Sequence, residues 1–155
     1  TFNGLMVTAL ALLEQGAVRS IGILDCDVHY GNGTDDIVKR LGVQGIRHHT
    51  MGAHFRHRDE ASLFEQWLHR AIEDCLDVDL LIYQAGADPH VNDPLGKVLT
   101  GVQMAKRDHA VFSAFQGRPL VWNLAGGYQR DVNGGIEPVL KLHRTTAQIQ
   151  NIYQP

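Results

Sequence analysis

The feature that most constrains this chain is a set of apolar runs that break off at polar or glycine-rich ends. "DVDLLIYQAGAD" (residues 77–88) is a continuous apolar stretch of the kind that forms a strand buried on both faces, and it closes on a carboxylate. "AVRSIGILDC" (17–26) and "PLVWNLAGGY" (119–128) read as strands of the same type, and "VQGIRHH" (43–49) as a weaker one. Helical patterns alternate with them. Residues 3–16 put Leu5, Ala9, Leu12 and Leu13 on one face and end at Gly16, and "TDDIVKRL" (34–41) runs from acidic to basic, the charge order a helix dipole favours. "EASLFEQWLHRAIEDCL" (60–76) repeats Leu63, Trp67, Ala71 and Cys75 at helical spacing. "PLGKVLTGVQMAKRDHAVFSAF" (94–115) and "GIEPVLKLHRTTAQIQ" (135–150) complete the helices. Strands alternating with helices predict a three-layer α/β domain with a mostly parallel sheet covered on both sides. In such sheets ligands bind beyond the carboxyl ends of the strands, and "DCDVH", "GAD" and "GGY" all fall there.

At 155 residues the chain is a single domain, 1–155. A net charge of -3 with scattered Lys and Arg offers no basic stripe, so nucleic acid is not an expected direct partner. Cys26 and Cys75 lie in apolar segments with no CxxC pair, which fits a reducing compartment and a cytoplasmic location. The longest apolar stretch, "GLMVTALALL", is too short to span a bilayer, and nothing basic precedes it. The sequence starts at Thr1 in what reads as the first turn of a helix, so the chain is expected to be a piece of something longer.

In an extended chain residues i, i+2 and i+4 point the same way, which sets Asp25, Asp27 and His29 on one face. Asp88, arriving from a neighbouring strand, would complete a facial set of one imidazole and two carboxylates. Three protein ligands with open positions describe a catalytic metal site, since structural sites are usually closed by four. Taken alone the motif leaves a second reading open, in which the two carboxylates cap the turn and His29 is a surface histidine. Tyr128 follows two glycines at a strand end, from which its phenol could reach the crevice and hydrogen-bond an oxyanion; its other reading is packing on the last helix.

"DCDVHYGNGTDDI", "QAGADPHVNDPLG" and "LAGGYQRD" resemble, in order and over essentially the whole chain, the successive motifs of the histone deacetylase family, which includes bacterial acetylpolyamine amidohydrolases. The resemblance implies the arginase/deacetylase fold and hydrolysis of an acyl amide, on acylated lysine or a small acylated amine. It implies that Asp27, His29 and Asp88 bind a divalent metal, usually zinc, with ferrous iron the alternative. Tyr128 would be the transition-state tyrosine. Asp25 is similar to the family aspartate that binds a structural monovalent cation and supports the metal-binding strand. The family's tandem catalytic histidines lie just upstream of the residues that match Phe2 and Asn3, so the resemblance implies a partial domain, the C-terminal half. His48-His49 follows a different strand and is not that pair. The strand that ends in a serine motif in the family carries Arg47 and His48 here, and the arginine's charge argues against a monovalent cation.

Further candidates are weaker. His54, His57 and His69 are expected to face solvent, while His90 and Phe55 could line a substrate channel. The leading expectation is the metal-binding half of a zinc-dependent deacetylase, weakly active alone. The alternative is a non-catalytic, deacetylase-like remnant or metal-binding module. A two-manganese ureohydrolase needs more aspartates than "DCDVH" supplies. An exposed sheet edge would further imply a homo-oligomer, or completion by the other half of the domain.

Overall fold

The computed structural model describes residues 2–154. Four strands, β1 (Ile21–Asp25), β2 (Ile46–Thr50), β3 (Leu80–Gly86) and β4 (Leu120–Ala125), form one sheet in the order β2-β1-β3-β4, and every pairing is parallel. Five helices connect and flank them: α1 (Gly4–Glu14), α2 (Asn32–Leu41), α3 (Ala61–Asp74), α4 (Gly101–Ala114) and α5 (Glu137–Tyr153). The three-layer α/β arrangement predicted from the alternation of elements is therefore present.

Strand periodicity divides the core in two. From β1 and β3, Ile21, Ile23, Leu80 and Ile82 point to one side and pack with Met6 and Ala9 of α1 and Ile37 and Val38 of α2. The intervening Leu24, Leu81, Tyr83 and Ala85 point to the other side, against Leu68 and Ile72 of α3, Val111 and Phe112 of α4, and Ile149 of α5. All five residues of β1 are buried, which explains its unbroken apolar run. β4 lies at the other edge, and its Val121 and Leu124 are exposed.

Local signals fix the helix starts. The Asn3 side chain accepts from Met6 N at 3.1 Å and donates to Thr34 Oγ1 at 3.0 Å, so one residue caps α1 and ties it to α2. α4 begins with a capping box between Thr100 and Gln103. That box is why helix 94–115, as read from the sequence, is shorter in the structure. Residues 94–99 instead fold back on the end of β3, with Val91 N donating to Leu99 O and Leu99 N to Pro89 O, each at 2.7 Å.

A second correction concerns α3. Of the expected stripe, Ala71 and Cys75 are buried and Trp67 is half-buried, but Leu63 is 59% exposed, and Phe64, Leu68 and Ile72 complete the buried face. Phe55 turns inward and packs edge-on against both Phe64 and Trp67, so Phe64 rather than Leu63 meets the core. Leu68→Ala is therefore expected to cost about 2–5 kcal/mol, and Leu63→Ala no more than about 0.5 kcal/mol, in urea unfolding. Equal losses would show that the face is wrongly placed.

Candidate metal centre

β1 ends at Asp25 because the next residues spend their hydrogen bonds locally. Asp25 Oδ1 accepts from Asp27 N at 3.1 Å and from Gln84 Nε2 of β3 at 2.8 Å. Asp27 Oδ1 in turn accepts from His29 N at 2.7 Å. Two successive carboxylate-to-amide turns thus curl residues 25–29 away from the sheet. The expected extended alternation is lost here. Asp25 is turned toward β3, while Asp27 and His29 are delivered to the crevice.

Asp88 enters from beyond the end of β3 and has no solvent exposure. Its Oδ1 accepts from Val28 N at 3.2 Å, which joins the two strand ends. Its Oδ2 lies 3.0 Å from His29 Nδ1, and the same ring nitrogen lies 2.8 Å from Asp27 Oδ1. One nitrogen carries at most one proton, and Asp27 takes it, so Asp88 Oδ2 is left buried without a hydrogen-bond partner. The imidazole nitrogen and both carboxylates are within 4.8 Å of one another. Space for Asp88 depends on Gly126, at φ 55°, where a Cβ would fall 2.4 Å from the Asp88 carboxyl carbon.

The electrostatics follow from crowding. Burial, and next the charge of Asp27, push the Asp88 carboxyl well above the usual carboxylate range. Burial disfavours charge on His29, but its hydrogen bond to Asp27 and the charges of Asp27 and Asp88 outweigh that and raise it. Asp25 is pushed up to about 6, chiefly by burial. A buried, unpartnered carboxylate oxygen beside a second carboxylate and an imidazole nitrogen is a donor set that fits a hard or borderline divalent cation.

Tyr128 stands at the rim, 46% exposed, its ring edge-on to that of His29 with centroids 6.1 Å apart. Its backbone N donates to Asp93 Oδ2 at 2.7 Å, which fixes the loop after the two glycines. Burial and then the charges of Asp88 and Asp27 raise its phenol, so it stays protonated.

Several expectations need correction. Register pairs Asp25 with Thr50, whose hydroxyl accepts from Gly31 N at 3.2 Å, so a hydroxyl residue does stand beside Asp25. Arg47 is not there: it pairs in register with Gly22, three residues before the position beside Asp25, and reaches outward to Asp77. His48 is buried, with Nδ1 2.7 Å from Asp35 Oδ1. Phe55 is 5% exposed in the core and is no channel wall. His90 pairs its Nδ1 with Gln129 Nε2 at 3.0 Å and lines a cleft between α4 and α5. His54, His57 and His69 are exposed, and His57 caps the turn that leads into α3.

One cluster had no sequence signal, because its members come from β2 and the end of α3. His49 Nε2 lies 2.9 Å from Asp74 Oδ2, with the Cys75 sulfur nearby. Burial pushes the Cys75 thiol up to about 12, and the Arg47 guanidinium already donates to the Asp74 carbonyl. His49 and Asp74 are thus paired with each other at the surface, and Cys75 is buried in the core beside them.

No protein-family model matches the chain. An uncharacterized protein of Picosynechococcus sp. is 27% identical over 166 residues, which cover 95% of this chain and 55% of that protein. Among solved structures, the acetylpolyamine aminohydrolase of Burkholderia pseudomallei superposes with a TM-score of 0.68 at 17% identity, over 97% of this chain and 49% of that one. The histone deacetylase Clr3 gives 0.67 at 18% identity, over 99% and 31%. A histone deacetylase homolog from Aquifex aeolicus gives 0.62 at 15%, over 92% and 44%. The chain therefore carries the α/β fold of the histone deacetylases and acetylpolyamine aminohydrolases, and it spans only 31–49% of the length of these three structures.

Proposed function

We propose that this chain holds a divalent metal, zinc by preference, through Asp27, His29 and Asp88, and takes part in hydrolysis of an acyl amide of a lysine or small amine. The observation that carries this reading is the buried, unpartnered Asp88 Oδ2 facing His29 Nδ1 and Asp27. When bound, such a metal polarises an acyl carbonyl and acidifies a water. His29 presents Nδ1, the nitrogen that faces both carboxylates, so the tautomer with its proton on Nε2 is the ligating one. Tyr128, protonated and at the rim, can donate a hydrogen bond to the oxygen on which negative charge develops. Asp25 acts through the turn it builds, holding Asp27 in place.

Proton transfer to the leaving amine is the step with the least support in these residues. His48, His49 and His90 are engaged with Asp35, Asp74 and Gln129. None of the three belongs to the Asp27, His29 and Asp88 cluster, which favours a second reading, a metal-binding module with little turnover. The two readings separate on leaving groups: activated aryl esters, which need no proton on departure, are expected to be hydrolysed about 100 to 10,000 times faster than acetyl-lysine amides by the zinc-loaded protein. Hydrolysis of neither supports the module.

Metal analysis checks the site directly. The wild-type protein is expected to bind one zinc or cobalt ion, and Asp88→Ala and Gly126→Ala to lose it, the latter because the added methyl collides with the Asp88 carboxylate. Equal binding by wild type and Asp88→Ala would sink the assignment. Tyr128→Phe is expected to keep the metal while slowing any ester or amide turnover about 100- to 1,000-fold. A loss of metal in that variant would instead make Tyr128 a ligand or a structural residue.

A further inference from the structure

Arg107 is 1% exposed, buried on α4 in the layer of core beneath the metal centre. Its Nε donates to Asp108 Oδ1 at 2.9 Å, and Asp108 is held in turn by the hydroxyls of Tyr83 and Thr146. The charge is thus balanced inside the core. Arg107 Nη1 donates to Gly86 O at 2.8 Å and lies 3.4 Å from Cys26 O.

These two carbonyls are not arbitrary. Cys26 immediately precedes Asp27, and Gly86 is two residues before Asp88. The register of β1 against β3 ends at Asp25 and Gln84, followed by a last bond from Cys26 N to Gln84 O at 3.0 Å. Beyond it the chains part: Ala87 N turns to Ala125 O of β4, while residues 27–29 curl into the crevice. Parallel strands that separate leave carbonyls without ladder partners, and buried carbonyls require them. A guanidinium is suited to this place because it carries several donors in one rigid plane.

Burying an ion pair rarely stabilises a core more than well-packed apolar side chains of the same volume. Stability alone therefore does not account for Arg107. We propose that Arg107 is a positioning residue, a clamp that fixes the ends of β1 and β3 relative to each other and so sets the spacing of Asp27 and Asp88. It touches neither the ligand atoms nor a substrate, and acts through the backbone. In its effect on metal binding the inference rests on the proposed metal site; in its effect on the order of the 26–29 turn it does not.

The test follows that division. The variants are Arg107→Lys, which keeps the charge and leaves Asp108 paired, and the double variant Arg107→Met with Asp108→Asn, which removes both charges together. Phe112→Leu, a core change on the same helix, serves as the control for lost stability. In the metal-free protein, amide exchange of Val28 and His29 is expected to quicken at least about 10-fold in the double variant, less in Arg107→Lys, and not in Phe112→Leu. Cobalt affinity is expected to fall about 10- to 100-fold in the double variant, the scale seen when groups that orient metal ligands are removed, and to stay at the wild-type value in Phe112→Leu. If the double variant does not fold, Arg107→Lys carries the same comparison. Unchanged exchange at Val28 and His29, or an equal effect in Phe112→Leu, overturns the clamp. Wild-type protein that binds no cobalt overturns the metal reading instead, and the exchange data still decide the role of Arg107.

Discussion

The structure turns on one carboxylate. Asp88 has no access to water, yet it faces a second carboxylate, and moving such a group out of water in charged form costs several kcal/mol unless an opposite charge meets it. Only one of its oxygens is satisfied by a backbone amide. The fold nevertheless commits three glycines to this spot. A Cβ at Gly126 would meet the carboxylate itself, one at Gly96 would meet the Asp88 carbonyl, and one at Gly86 would meet the backbone of Cys26 and Asp27. Packing this close, around a group that destabilises the chain as it stands, is the pattern expected where stability is given up for a site.

The sheet explains how such a site is supported. Its two central strands, β1 and β3, bring their carboxyl ends together and are buried on both faces, so the crevice sits on the buried centre of the sheet. The loops that fill the crevice are short and internally bonded. Asp25 and Asp27 each fold the following residues with their own side chains, and residues 89–99 close on themselves through backbone bonds from Val91, Val98 and Leu99. The Asp27 and Asp88 carboxylates are thus each oriented by a backbone amide, from His29 and Val28, which is how preorganised sites hold their geometry.

Much of this was legible in the sequence, and the parts that were not share a cause. Strands β1 and β3 announced themselves because a strand buried on both faces has to be continuously apolar. β4 carries a similar run although it lies at the sheet edge with Val121 and Leu124 exposed, and the polar residues at the strand ends were conspicuous against that background. Asp27, His29 and Asp88 were singled out in this way, and the structure brings them together. Their arrangement was not deducible from period-two alternation, because Asp25 breaks the strand by accepting from Asp27 N. Thr50 was missed and Arg47 set in its place for a different reason: β2 is only partly buried, its pattern is weak, and register is poorly specified where no face is fully apolar. Phe55 was offered as a substrate-channel wall because a loop has no period from which burial in the core can be inferred, and only the tertiary contact with Phe64 and Trp67 turns it inward.

The electrostatics of the centre also point one way once the groups are taken together. Without a cation, Asp88 is pushed up by burial and by Asp27, His29 is raised by the two carboxylates, and the Tyr128 phenol is raised by burial and the same charges. Each of these shifts retains a proton, and each is the response of a site with too much negative charge in too little solvent. A divalent cation reverses the sign of the local field: it favours the ionised carboxylates and the neutral imidazole, and it lowers the pressure on the phenol to hold its proton. The three groups are linked through Asp27 and Asp88, and one added positive charge relieves them together. That a single change satisfies Asp88 Oδ2, frees His29 Nδ1 from competing carboxylates and leaves Tyr128 able to donate is the strongest physical argument that the cluster is a cation site, and that its two carboxylates are more than a cap on a turn.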